Sequence, residues 1–583
     1  MSQMRKPNFQ EEMLRQRLPL VIFGLLVASL YLVGRLMSFQ FQLDPSVLSY
    51  LDSVRNSNYT RTLRLAAARG NIYDRDMQAL AVNTLEYRVG ASPNLIADKR
   101  AVATQLAGVL NLNELETLQK LNTNAPWVLL APRVSAEIGQ RVQALNIFGV
   151  RLEPVPRRSY PQGTLAAHVV GFVGGDLQGY YGVEGFYQND LAGREREERI
   201  SNIPFVLPED RREDHGADII LTIDRDIQFL AESELQRAIT ESGATSGTII
   251  IMNPRNGEIL AMANYPSFDP NAYFSVSNPN QLINPAISEQ YEPGSVMKVL
   301  TIAAALELGV ISPYDTYVDQ GFLEAGGIRV ENWDRQAHGV VDMTGVLVQS
   351  LNVGAATVSL RTGPMMYYGK LRDFGMGRPT GIDLQGEAPG TMYVPGDENY
   401  SDSQLLTNSF GQGIAVTPLQ MLVAISAIAN DGLMMQPHVF RELIDGDRRQ
   451  VSEPSTLGRP ISQETARIVT DMMVAVVREG LDGNASVPGY TIAGKTGTAQ
   501  IPSPVGYEPN ASIASFIGFL PADDPQVSVL IKLDRPSGYW GSQVAAPVFR
   551  RLAERLVILM KIPPDDIRHA LQAEGGAVNA ISR

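Results

Sequence analysis

The stretch Tyr291-Glu292-Pro293-Gly294-Ser295-Val296-Met297-Lys298 decides how this chain is read. A Pro-Gly turn delivers Ser295 to the start of a helix, and Lys298 follows one turn on, where positions i and i+3 share a face. Residues 299–308 are apolar almost all round and stop at Gly309, the pattern of a core helix. A lysine on the first turn of such a helix is expected to be buried, and burial lowers its pKa. A neutral amine beside a hydroxyl is what an activated nucleophile needs. Ser-x-x-Lys alone is common on surface helices, so the reading depends on what else the chain supplies.

Two further motifs stand downstream. The first is Ser350-Leu351-Asn352. Residues i and i+2 do not share a helix face, so both side chains enter one cleft only from a turn between helices. The helical patterns at 344–349 and 353–360 allow that turn. Ser350 is then placed to relay a proton and Asn352 to hydrogen-bond an amide. The second motif is Lys495-Thr496-Gly497-Thr498, inside an apparent strand. Period two puts Thr496 and Thr498 on one face. Gly497 lets another backbone approach closely. Lys495 and the two hydroxyls suit the carboxylate that ends a peptide.

The same residues satisfy a phosphate-loop pattern, Gly489 through Gly494-Lys495-Thr496. A phosphate loop must follow a strand and open a helix. Here Tyr490-Thr491-Ile492 is itself strand-like, and residues 497–502 make a poor helix start. The nucleotide reading is set aside.

The chain has 583 residues, too many for one core, so two to four domains are expected. Its net charge of −13 argues against nucleic acid as a partner. It has no cysteine, which excludes disulfides, thiolate chemistry and Cys-based zinc sites. Residues 18–34 carry no charge and would rise roughly 26 Å as a helix. Arg35 can snorkel, extending a transmembrane helix to 18–41. Arg5, Lys6, Arg15 and Arg17 keep residues 1–17 as a cytoplasmic tail. The protein is therefore expected in the cell membrane, single-pass, with its remaining domains on the outer face of the bilayer.

Strand, turn and strand are expected around Ile72 and Leu80, short helices over 94–122, and a strand at 126–134 entering a helix. The charged runs 194–199 and 208–215 read as solvated loops. A boundary falls near Gly216. Beyond it come a strand at 218–223, a helix at 224–240 and a hairpin through Asn256-Gly257. Helices are expected from Ser295 to about 430, strands at 490–500, 512–519 and 527–533, a closing helix at 546–560, and a loosely ordered tail after Pro563. Strands first and last with helices between describe an α+β domain, an antiparallel sheet covered by helices.

Ser-x-x-Lys, Ser-x-Asn and Lys-Thr-Gly in this order form the set shared by class A β-lactamases and penicillin-binding proteins. With them the chain resembles the class B penicillin-binding proteins, the monofunctional peptidoglycan D,D-transpeptidases, over nearly its whole length. Residues 69–75 (RGNIYDR), Tyr160-Pro161 and Gly182-Val183-Glu184-Gly185 resemble that family's pedestal. Leu221-Thr222-Ile223-Asp224, Ser409-Phe410-Gly411-Gln412-Gly413 and Val416-Thr417-Pro418-Leu419-Gln420 resemble its transpeptidase domain.

The resemblance implies a serine β-lactamase-like catalytic fold at 216–562, an elongated mixed α/β pedestal or dimerisation domain at 42–215, and a tail at 563–583. It implies acyl transfer in two steps without metal or cofactor. Ser295 would attack the penultimate D-Ala carbonyl of a stem peptide ending in D-Ala-D-Ala, with Lys298 as base. Ser350 and Lys495 would pass a proton to the leaving amine, and Asn352 would orient the donor's amide. Thr496 and Thr498, flanking Gly497, would hold the terminal carboxylate. The backbone N–H groups of Ser295 and Thr498 would form the oxyanion hole. β-Lactams would acylate Ser295. In the pedestal, Arg69 and Glu184 are expected to pair. The implied partners are the bilayer and a membrane-embedded SEDS-type glycan polymerase, which the pedestal would bind and activate. Residues 380–384 and 386–390 look more like the septal than the elongation type. A D,D-carboxypeptidase, differing only in its acceptor, stays open.

Overall fold

A computed structural model describes residues 9–41, 60–65, 68–194, 196–201, 215–503, 506–571 and 573. They fall into two units, Met1–Ala67 with Arg194–Asp214, and Ala68–Gly193 with His215–Arg583.

In the first unit, Phe9–Phe41 is one helix of 33 residues. Its stretch Leu18–Ser38 is long and apolar enough to cross a bilayer, and its large apolar side chains are exposed. The other element is an antiparallel pair, Thr60–Leu65 against Arg196–Ser201. That corrects the reading of 194–199 as a loop. Two short extended segments satisfy their backbone N–H and C=O groups by pairing with each other, a partnership that charge content does not reveal. Residues 208–214 of the second expected loop lie outside the described residues.

The second unit is built on a five-stranded antiparallel sheet. Its order is Ile259–Tyr265, Ser246–Met252, Val527–Asp534, Gly506–Leu520 and Ala493–Ser503. The central strands are buried on both faces, and their near-continuous apolar runs follow from that. One face packs against the helices Arg225–Ser242 and Gly541–Leu559. The other packs against a helical lobe that includes Met297–Glu307 and Pro418–Ala429. This is the expected sheet covered by helices.

A second sheet runs in the order Arg448–Val451, Phe440–Asp445, Asp218–Leu221, Ile72–Tyr73, Ala79–Ala91, Val128–Ser135, with Val150–Ser159 also on Ala79–Ala91. Ile72–Tyr73 pairs in parallel with Asp218–Leu221, so this sheet is continuous across Gly216. Beside it, Lys99–Leu110, Glu114–Leu121 and Ala136–Ala144 close a separate core around Leu106, Leu121, Val134 and Val142.

Two expectations are corrected here. The span 316–342 is expected to be helical, but it holds a hairpin, Phe322–Ala325 with Ile328–Glu331, enclosed by a second antiparallel pair, Thr316–Asp319 with Gly339–Asp342. The β-branched pairs and the Gly326-Gly327 turn favour strands there over a helix. The tail after Pro563 is not loose throughout. Residues 565–571 are helical, and Arg568 is buried with its Nη2 2.6 Å from both Asp523 Oδ1 and Asp565 Oδ1.

Candidate active site

Ser295 lies on a short 3₁₀ turn, Gly294–Val296, that runs into the helix Met297–Glu307. Two glycines let this turn back onto the strand Ala493–Ser503. Gly294 has φ +58°, and a side chain on it would come within 2.8 Å of Thr498 O. A side chain on Gly497 would come within 2.9 Å of Pro293 O. In an antiparallel strand the N–H and C=O of one residue point to the same side. Thr498 O faces Gly294, so the Thr498 N–H is also directed at the turn that carries Ser295.

Ser350 is the hinge between the helices Met343–Val348 and Asn352–Thr362 and has a left-handed backbone, φ +56°. That turn brings Ser350 and Asn352 to one cleft despite their spacing. Lys298 Nζ donates to Ser350 O at 2.5 Å and to Ser350 Oγ at 3.2 Å. Lys495 Nζ donates to Ser350 Oγ at 3.1 Å and to Thr496 O at 3.2 Å. Both bonds of Lys298 thus go to Ser350 rather than to Ser295, the neighbour on its own helix face. A lysine stem reaches past the i−3 position, and the turn at 350 offers it a carbonyl that the helix surface does not.

Lys298 is 0 % and Lys495 1 % exposed. Burial pushes the Lys495 amine down to about 7. Burial first, then the nearby Lys495 charge, holds Lys298 well below the usual lysine range. Every hydrogen bond of the two amines goes to a hydroxyl or a carbonyl.

The cleft has a volume of about 720 Å³ and is lined by Ser295, Ser350, Asn352, Lys495, Thr496 and Thr498. Asn352 Nδ2 donates to Glu331 O at 3.0 Å. Thr496 and Thr498 share the strand face that meets the cleft. Thr498 Oγ1 also accepts the N–H of Gly541 at 3.0 Å, so this hydroxyl caps the closing helix. Among the described residues there is no cluster of His, Asp and Glu able to hold a metal ion.

The sequence reading missed the aromatic wall. Trp333 and Trp540 meet edge to face, centroids 5.3 Å apart, and both line the cleft with Tyr539. Trp333 Nε1 donates to Gln349 O at 3.0 Å, beside the Ser350 turn. Trp333 and Trp540 stand well away from the three motifs in sequence, so no local signal pointed to them.

The penicillin-binding protein transpeptidase domain model matches residues 247–554, and the penicillin-binding protein dimerisation domain model matches residues 64–202. Stage V sporulation protein D of Bacillus subtilis is 34% identical over 549 residues, 92% of this chain and 84% of that protein. Peptidoglycan D,D-transpeptidase FtsI of Escherichia coli is 30% identical over 578 residues, 96% and 95% of the two chains. The chain belongs to the class B penicillin-binding proteins. It is a peptidoglycan D,D-transpeptidase of the penicillin-binding type, with one N-terminal helix fit for a single membrane pass. The crystal structure of penicillin binding protein 3 from Mycobacterium tuberculosis, complexed with aztreonam, is similar at TM-score 0.67 and 32% identity, covering 86% of this chain and 98% of that one.

In this penicillin-binding protein the dimerisation-domain segment holds a second buried polar cluster. Arg69 Nε donates to Glu184 Oε2 at 2.6 Å, and Arg69 Nη2 to Glu184 O at 3.0 Å. Arg158, which the sequence reading had not assigned, donates its Nε to Glu184 Oε1 at 2.6 Å and its Nη1 to Gly70 O at 2.7 Å. Tyr160 OH adds a bond to Glu184 Oε1 at 3.3 Å.

Proposed function

We propose that this transpeptidase cross-links stem peptides at the division septum through an acyl-enzyme on Ser295. The observation that carries the reading is the Ser350 hydroxyl held between two buried amines beside the Ser295 turn. Ser295 Oγ bonds to the penultimate D-Ala carbonyl carbon, and its proton passes to neutral Lys298. The N–H groups of Ser295 and Thr498 receive the developing oxyanion. As the bond to terminal D-Ala breaks, Lys298, Ser350 and Lys495 return a proton to its amine. An amine from a neighbouring stem then takes the acyl group and frees Ser295. Asn352 orients the donor's amide, while Thr496 and Thr498 hold the terminal carboxylate. β-Lactams, such as the aztreonam bound to the Mycobacterium tuberculosis relative, would acylate the same hydroxyl.

Residues 42–215 serve as the pedestal, where a SEDS-type glycan polymerase would dock, and residues 216–562 as the catalytic domain. The basic residues at 5, 6, 15 and 17 support a reading with the N-terminus in the cytoplasm, which would put the cleft on the outer side. The segments 380–384 and 386–390 support the septal assignment. Ser295→Ala is expected to fold and take up no labelled penicillin; labelling of that variant would refute the nucleophile. A fluorescent fusion is expected at midcell, and sidewall localisation would transfer the protein to elongation.

A further inference from the structure

One buried carboxylate on the nucleophile turn has no role in the steps above. Glu292 lies three residues before Ser295 and is 9 % exposed. Its Oε1 accepts the Gly413 N–H at 2.8 Å. Tyr507 OH donates to Oε2 at 3.1 Å and lies 3.4 Å from Oε1. The Gly294 N–H donates in turn to Gly411 O at 3.2 Å. The turn is thus stitched twice to residues 411–413 and once, through Tyr507, to the hairpin that carries Lys495-Thr496-Gly497-Thr498.

That hairpin overhangs its sheet. Gly506–Leu520 pairs with Val527–Asp534 only from Ile513 onward, and the Arg535 N–H still reaches Ser512 O at 2.9 Å, so residues 506–511 have no strand partner other than Ala493–Ser503. Ser512 Oγ anchors the base of the overhang, donating to Tyr539 O at 2.8 Å, and among the described residues beyond it three side-chain contacts tether the rest: Tyr507 to Glu292, Glu508 to Arg535 at 2.8 Å, and Gln500 to Gln412 at 3.2 Å. The last two are exposed, where such contacts stabilise little. Gln500 lines the cleft, so the overhang is part of its wall. Burial, and next the Glu292 charge, pushes the Tyr507 phenol up, so it keeps its proton and donates. Burial also raises Glu292, and its bonds from Gly413 and Tyr507 work against that rise.

We propose that Glu292 is a positioning residue for acylation: by clasping Tyr507 it holds the overhanging hairpin and sets the spacing between the Lys495–Thr498 strand and Ser295. It touches no substrate and acts through that strand. The proposal rests on the acyl-enzyme reading of Ser295. Misplacing a catalytic group by about 1 Å costs about a hundredfold in rate, so a loosened clasp is expected in the bond-forming step and not in binding.

The test is rapid-mixing acylation of the detergent-solubilised full chain by labelled penicillin, resolving Kd from the acylation rate constant. Tyr507→Phe is expected to lower that constant about tenfold with Kd within about twofold and the thermal midpoint retained. Glu292→Ala lowers it further, and the double variant is no slower than Glu292→Ala alone, because one clasp is broken either way. Glu292→Gln keeps an oxygen for Gly413 and Tyr507 and restores the constant to within about threefold of wild type. A Tyr507→Phe enzyme that acylates like wild type would overturn the clasp, as would losses that multiply in the double variant. If Glu292→Ala does not fold, Tyr507→Phe and Glu292→Gln decide alone. A wild type that takes no label defeats the acyl-enzyme reading and the clasp with it. A wild type that acylates, matched by Tyr507→Phe, defeats the clasp only.

Discussion

Two regions of this molecule bury positive charge in opposite ways. Around Glu184, which is 0 % exposed, the guanidinium groups of Arg69 and Arg158 each meet a carboxylate oxygen at 2.6 Å. At the cleft, Lys298 and Lys495 are as deeply buried but meet only hydroxyls and carbonyls. A buried charge with a counter-charge keeps it and ties segments together. A buried amine without one is pushed to give up its proton. The difference separates a residue that builds the fold from a residue available for chemistry. Lys532, equally buried, sides with the first group, its Nζ 2.6 Å from Asp534 Oδ1 and 3.2 Å from Glu289 Oε2.

The comparison can be broken at either end. Lys298→Ala is expected to lose about a thousandfold in acylation rate while the chain stays folded, since general-base catalysis is worth that order. Single-turnover penicillin labelling measures it, and a loss of stability instead would put Lys298 among the structural charges. Glu184→Ala is expected to do the reverse. It leaves two guanidinium groups buried without a counter-charge and costs about 3–5 kcal/mol in urea unfolding, while whatever folds still acylates.

The lysines also give the stability a pH dependence. An unfolded Lys495 would hold its proton up to about 10.5, and the folded one only up to about 7. Between those values the unfolded chain binds more protons, so stability falls as pH drops from about 10.5 to about 7 and loses no more from this group below that. Lys298 acts in the same direction. Urea midpoints at pH 7.5 and 9.5 should therefore differ more in the wild type than in Lys495→Met. At the small end, Arg550 and Glu554 pair at 3.0 Å on the exposed side of the closing helix. Arg550→Ala should cost only about 0.3–0.5 kcal/mol in the same assay.

Much of this was legible in the chain, for reasons of range. The membrane helix, the nucleophile helix and the strands of the catalytic sheet are carried by local signals: an uncharged run, apolar residues all round a helix, apolar strands between turns. The three motifs that line the cleft could be picked out because each is a short word whose meaning the other two reinforce. The antiparallel pairs at 316–342 and the strand at 196–201 were misread. Their segments are short, and pairing with a distant partner outweighs what composition suggests.

The partners of the buried charges were decided by tertiary structure alone. No local pattern says that Lys298 turns from Ser295 to the carbonyl of Ser350, or that Arg158 shares Glu184 with Arg69. Nor does any say that Tyr507 reaches Glu292 across 215 positions. In sequence these arginines and lysines look alike. Which of them meets a carboxylate, and which meets only a hydroxyl, is settled when remote segments pack and water leaves.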